Sequence, residues 1–147
     1  MEDSRFGDWC RKVPGTISGD ALWKVKAYRL ALYASDLVWE DAALLQKDRR
    51  AWGISDQVVR SVGSVSANIA EGYSRGGGRD RARFYEYALG SARESRDWYY
   101  KARRLLAPEA VEKRLDPMTH IIRLLTTMTR NERSVHLREP ETDYDAT

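Results

Sequence analysis

The side chains best placed to do chemistry are Gln57, Ser61, Ser64, Asn68 and Glu71. Their spacings of four, three, four and three residues put them in one polar stripe along a helix. Read functionally, Asn68 and Glu71 would be active-site groups, and Glu71 with Glu94 would form a carboxylate pair for acid–base work. No nucleophile, metal ligand or third group accompanies that pair, so no enzyme is expected. Read structurally, the stripe is a hydrogen-bonded seam. Ser64 and Asn68 then satisfy groups on a neighbouring helix, and Glu71 pairs with an arginine. The seam is the expected reading. Scarcity removes other chemistries. The 147 residues include one cysteine, Cys10, and two histidines, His120 and His136. One cysteine excludes an internal disulfide framework and a cysteine-based metal cluster, and two histidines argue against a zinc site or a Ser-His-Asp triad. No metal and no cofactor is expected.

Gly76-Gly77-Gly78 invites comparison with a phosphate-binding loop. It lacks the lysine followed by Ser or Thr that such a loop needs, because Arg79-Asp80 follows. A flexible hinge between two helices is the simpler reading. A weaker functional one survives: backbone N–H groups at the start of the next helix, ringed by Arg75, Arg79, Arg81 and Arg83, make an anion-friendly end.

Charge gives the best functional lead. The chain is +3 overall, but residues 22–106 carry sixteen basic and ten acidic groups, while both flanks are net negative. From Arg75 to Arg104 there are nine basic and four acidic residues, and eight of the nine are arginine. Arginine forms bidentate contacts with phosphate and stacks on bases. A stripe holding Arg75, Arg79, Arg81, Arg83, Arg93, Lys101 and Arg104 would bind RNA or DNA backbone in a salt-sensitive, sequence-indifferent way. The competing reading is a solvated helix face, partly neutralised by Glu86 and Asp97 in surface ion pairs worth little.

Four amphipathic helices must carry these groups. A first helix, about residues 21–47 with Asp20 as N-cap, has Ala27, Leu30, Ala31, Ala34, Leu37, Val38 and Asp41 on one face. Ser55 can cap a second, about 55–71, with Val58, Val62, Val65 and Ile69 in a stripe and Gly72 at the C′ position. A third, about 79–106, sets Tyr85, Ala88, Ala92, Ser95 and Tyr99 opposite Arg79, Arg83, Glu86, Arg93, Lys101 and Arg104. Its core side is small in the middle, as is the second helix, so these two are expected to pack closely. Pro108 opens a short turn to about Leu115, and Asp116-Pro117 reads as N-cap and N1 of a fourth helix, about 117–133. Residues 1–19 read as an irregular extension, 20–133 as the helical domain, and 134–147 as a disordered acidic tail. Short connections imply an all-α, up-and-down four-helix bundle. Trp23, Tyr28, Trp39, Trp98, Tyr99 and Tyr100 are more aromatic surface than one bundle can bury, which points to self-association.

With 42% hydrophobic and 32% charged residues the chain can build one core. No apolar run approaches the ~20 residues of a membrane span, and the N-terminus has no apolar signal segment. A cytoplasmic, reduced setting without membrane is the expectation.

The stretch Ser64-Val65-Ser66-Ala67-Asn68-Ile69-Ala70-Glu71-Gly72, followed by Arg75, resembles the hallmark of the large-subunit ribosomal RNA intervening-sequence proteins. These are also called the four-helix bundle protein family, and are related to the Avd accessory proteins of diversity-generating retroelements. Gln57 and Arg60 precede the hallmark, and Trp23 sits near the start of the first helix. Ala88-Leu89-Gly90-Ser91 with Glu94 is similar to the second signature. The resemblance covers about residues 20–106; glycines 76–78 depart from it, since the family more often has Ser or Thr with Lys there. It implies a homopentameric, barrel-like ring of bundles with a basic surface and no catalysis. It also implies nucleic acid, and a reverse transcriptase, as partners. The expected function is a non-catalytic nucleic-acid-binding adaptor, with a purely structural oligomeric scaffold as the alternative.

Overall fold

The computed structural model describes residues 4–138. Among them the chain is all-α, with six α-helices, three short 3-10 turns and no strand. The long helices are α3 (Lys26–Leu45), α4 (Trp52–Tyr73), α5 (Gly78–Lys101) and α6 (Pro108–Arg138); α1 (Ser4–Lys12) and α2 (Gly15–Ser18) precede them.

The stripes read from the sequence are the ones buried. Val58, Val62, Val65 and Ile69 of α4 are wholly inaccessible, as are Ala88 and Ala92 of α5 and Ile121 and Leu125 of α6. From α3 come Ala27, Leu30, Ala31, Ala34, Val38 and Leu45. The long helices pack in chain order, α3 on α4, α4 on α5 and α5 on α6, and α6 returns to α3. Gly78 at the start of α5 lies against Glu132 near the end of α6, while Arg96 reaches Thr119. Those two helices therefore run antiparallel, as a short connection requires. The close approach expected between α4 and α5 is present at Gly72, where a Cβ would lie 2.8 Å from Phe84 Cβ.

One polar cluster crosses the core. Asp41, 4% exposed, accepts from the Tyr99 hydroxyl at 2.7 Å and from Arg114 Nε at 2.8 Å. A buried carboxylate persists only when its lone pairs are used in this way. Burial first, and then Asp41, pushes the Tyr99 phenol far above its ordinary range, so it stays a donor.

Several element boundaries differ from those expected. Residues 4–12 are helical rather than irregular. Phe6, Trp9, Cys10 and Val13 already have one-face helical spacing, and the rings of Phe6 and Trp9 dock on Tyr33 at 5.4 and 5.3 Å. Trp9 also stacks on Trp23 and donates to Asp36 at 2.7 Å. Asp20 caps a 3-10 turn, Ala21–Lys24, by accepting from Leu22 N–H; extended Val25 then separates that turn from α3. Ser55 is not a cap: α4 begins three residues earlier, and the Ser55 hydroxyl is buried, 3.4 Å from the Ala42 carbonyl. Gly72 is not a left-handed C′ residue, since no glycine has positive φ among the described residues. α5 stops at Lys101 and gives way to a 3-10 turn, Ala102–Arg104.

The largest difference is at Pro117, which lies inside one continuous helix rather than starting a new one. A mid-helix proline costs about 3 kcal/mol through a missing hydrogen bond and a carbonyl clash. Val111, Leu115, Met118, Ile122 and Leu125 form a single apolar stripe through the proline, and burying that stripe without a break outweighs the local penalty. α6 also continues beyond residue 133 to Arg138, so residues 134–138 are helix and not tail. Residues 139–147 of the expected acidic tail lie outside the described residues. No described helix is long and apolar enough to cross a membrane.

Candidate nucleic-acid interface

The polar stripe of α4 resolves first, because it is the competing site. Ser64 Oγ donates to the Arg60 carbonyl at 3.0 Å, and Asn68 Nδ2 donates to the Ser64 carbonyl at 2.9 Å. Both bonds fold back on their own helix, so the expected inter-helix seam is absent at these two residues. Gln57 is half-buried, and Ser61 is buried with its hydroxyl on the Val58 carbonyl. Glu71 does pair with an arginine, Arg75, at 3.0 Å. Glu94 accepts from Trp98 Nε1 at 3.1 Å. Both glutamates are exposed and each is engaged by a residue four positions on in its own stretch of chain. Gly90 is exposed with open space where a Cβ would stand, and Ser91 is half-buried beside it. No group of three or more His, Cys, Asp or Glu side chains able to hold a metal occurs among the described residues.

α5 sorts the basic residues because one side of it faces the core. Arg79, Arg83 and Arg93 project from its outer side, and Arg104 from the turn that follows; all four are exposed. None of the four makes an ion pair with a described carboxylate, whereas the face's acids are largely engaged. Glu86 pairs with Arg133 of α6, and Asp97 pairs with Lys101 at 2.7 Å. Asp80 and Glu94 are the remaining acids of the segment.

Arg81 departs from the expected set. Its Nε lies 3.0 Å from Glu132 Oε2, with both side chains about three-quarters buried, and its Nη1 donates to the Arg75 carbonyl at 3.0 Å. Arg81 thus ties the α4–α5 connection to the end of α6 and is not part of an outer basic face. Its angular position on the helix explains this: it shares the inner side with Tyr85, one turn on. Gly78 fits closely beside it, since a Cβ there would sit 3.1 Å from both the carbonyl and a carboxylate oxygen of Glu132. Among the three glycines, this is a packing role that a hinge reading misses.

Aromatic rings accompany the cations. The guanidinium of Arg75 lies 4.7 Å from the Phe84 ring centre and that of Arg83 lies 5.4 Å from the same ring. Lys101 sits 4.4 Å over Trp98, and Arg103 sits 4.1 Å over Tyr100. Tyr87 and Tyr100 are each more than half exposed. Arg96 and Arg103 belong to this surface although the expected set omitted them. With Arg93, Asp97, Tyr100 and Leu115, Arg96 lines a cleft of about 430 Å³ between α5 and α6. The signal was available as the run Tyr99-Tyr100-Lys101-Ala102-Arg103-Arg104, which pairs rings with cations.

The aromatics expected to exceed one core divide. Tyr99 is buried, Trp23, Tyr28 and Trp98 are half-buried, and Trp39 and Tyr100 are 73% and 56% exposed. Trp39 borders a groove of about 520 Å³ between α3 and α4, with Ala43, Val59 and Arg60.

Comparison with known proteins agrees with the fold and the motif. A solved structure from Bacteroides thetaiotaomicron VPI-5482, described as a protein of unknown function from the S23 ribosomal protein family, superposes with a TM-score of 0.67. The two are 23% identical over 71% of this chain and 98% of that one, a likeness of fold. No curated protein matches the sequence. The sequence profile of the 23S rRNA-intervening sequence proteins matches residues 24–127, a span that holds α3, α4, α5 and most of α6. By that match the chain belongs to the 23S rRNA-intervening sequence protein family.

Proposed function

We propose that the protein is a non-catalytic adaptor that captures the backbone of RNA or DNA on the outer face of α5. The observation that carries this reading is the set of exposed arginines, Arg79, Arg83, Arg93 and Arg104, without carboxylate partners among the described residues while Glu86 and Asp97 are neutralised. Guanidinium groups held in this state displace the cations condensed on the phosphates, which makes binding strong at low salt and independent of sequence. Membership of a family linked to 23S rRNA makes RNA the first ligand to test.

The assembly belongs to the same reading. The four long helices form one up-and-down four-helix bundle, and copies join in a homopentameric ring in the cytoplasm. Exposed Trp39 and Trp52, at 73% and 52%, favour self-association, because aromatic side chains are enriched at the centres of interfaces. Several copies of one weak basic face then act together, and avidity multiplies the affinity. A partner such as a retroelement reverse transcriptase supplies any chemistry. The same exposed tryptophans favour the second reading, an oligomeric scaffold that does not bind nucleic acid.

A binding titration at two salt concentrations separates the two. Charge reversal at Arg79, Arg83, Lys101 and Arg104 should weaken RNA binding and reduce its salt sensitivity without changing helicity. Unchanged affinity would leave the scaffold.

A further inference from the structure

The cleft between α5 and α6 has a composition that the capture of backbone alone does not require. Arg93 and Arg96 stand in its wall with Tyr100, and Leu115 of α6 closes the far side. Arg96 is half-buried, and its guanidinium lies 3.4 Å from Thr119 Oγ1 on α6. The one carboxylate in the wall, Asp97, is engaged by Lys101 at 2.7 Å. Tyr100 is 56% exposed, and the Arg103 guanidinium at 4.1 Å occupies one face of its ring, so a base would use the opposite face. The same arginine donates from Nη1 to the Tyr100 carbonyl at 3.0 Å, which fixes the stack.

Such a cleft offers two cations for a phosphate and an oriented ring beside them. A base can use the ring only if its own face is free. In a duplex every face is taken by the neighbouring base pair, and the A-form major groove is too narrow for side chains. An unpaired strand exposes its bases, and stacking on an aromatic ring stabilises each one by a sequence-tolerant contact. We infer that the Arg93–Arg96–Tyr100 cleft binds an unpaired nucleotide, its phosphate between the two guanidiniums and its base on Tyr100. This rests on the nucleic-acid reading above and deepens it, since it assigns a preference for single-stranded over double-stranded ligand. Both RNA and DNA single strands present the required chemistry.

The test is a fluorescence-anisotropy titration of the full chain with three probes: a 12-nucleotide oligo-uridine RNA, the matching oligo-thymidine DNA, and a blunt 12-base-pair RNA duplex. The wild type should bind the single strands more tightly than the duplex. Tyr100→Ala should weaken single-strand binding about 5- to 150-fold, the range for removing one base stack, and leave duplex binding within twofold. Tyr100→Trp should restore it. Tyr100 is exposed, so circular dichroism and melting should be unaltered. Equal affinity for single strand and duplex, or a Tyr100→Ala variant that binds single strands as the wild type does, would overturn the assignment while leaving backbone capture intact. Binding to none of the three probes would remove backbone capture as well.

Discussion

Replacing Gly72 by alanine sets two effects of known size against each other. Within a helix, alanine is favoured over glycine by about 1 kcal/mol, so the substitution should stabilise α4 if space allowed. Space does not allow it. The new methyl would stand 2.8 Å from Phe84 Cβ and 2.9 Å from Tyr85 Cε1, where carbon atoms normally rest about 3.5–4.0 Å apart. Phe84 Cβ is bonded to the α5 backbone and cannot rotate away, and Tyr85 is 3% exposed. The helices must therefore separate locally, and overpacking of this kind costs about 1–3 kcal/mol. Net destabilisation of up to about 2 kcal/mol follows, or a melting temperature lower by up to about 6 °C for a chain of this size. Gly90→Ala is the internal control, because nothing lies within 4 Å of its Cβ position; it should raise stability by about 1 kcal/mol. Urea unfolding followed by circular dichroism measures both. A Gly72→Ala variant as stable as Gly90→Ala would refute the claim that α4 and α5 touch through the glycine.

Four further expectations follow from the same structure. Asp41→Ala should cost about 3 kcal/mol, because it strands the Arg114 guanidinium and the Tyr99 hydroxyl in the core; in a double-mutant cycle, Tyr99→Phe should cost less in that background than in the wild type. Thr129, 8% exposed with no hydrogen-bond partner for its hydroxyl among the described residues, should accept valine with a gain of about 1 kcal/mol in unfolding free energy. Pro117→Ala should stabilise α6 by about 1–3 kcal/mol in the same assay. The Arg50 side chain holds the Asp48 carboxyl down at about 2, so this contact favours the fold above the ordinary value of 3.8 and fades as pH falls toward 2; by NMR titration, Arg50→Ala should return Asp48 toward that ordinary value.

Features that repeat at short range were legible in the sequence, and those that depend on distant partners were not. The stripe Val58, Val62, Val65, Ile69 specified its own burial because four β-branched apolar residues at helical spacing fall on one face. α1 carried a comparable signal in Phe6, Trp9 and Cys10, masked by the turn residues Val13-Pro14-Gly15 that follow. Pro117 misled because a local rule about proline was set against a packing stripe whose partners lie on other helices. Asp41 reads as a member of an apolar face until Tyr99 and Arg114 arrive from 58 and 73 residues away. The same limit applied at the interface. Helical spacing placed Arg79, Arg83, Arg93 and Arg104 correctly on the outside, yet Arg81 turned inward because Glu132, 51 positions later, waits there. For Ser64 and Asn68, short polar side chains satisfied themselves within one turn, which spacing alone does not distinguish from a bond across helices.

The dependence of RNA affinity on salt tests the central claim most directly. With log Kd measured against log salt concentration on one unstructured RNA, replacing Arg79, Arg83 and Arg104 by glutamine should reduce the slope by about two, near ~0.7 for each single-strand phosphate that no longer meets a guanidinium, with the helical content unchanged. A slope identical in the wild type and the triple variant would show that the outer arginines of α5 do not meet phosphate.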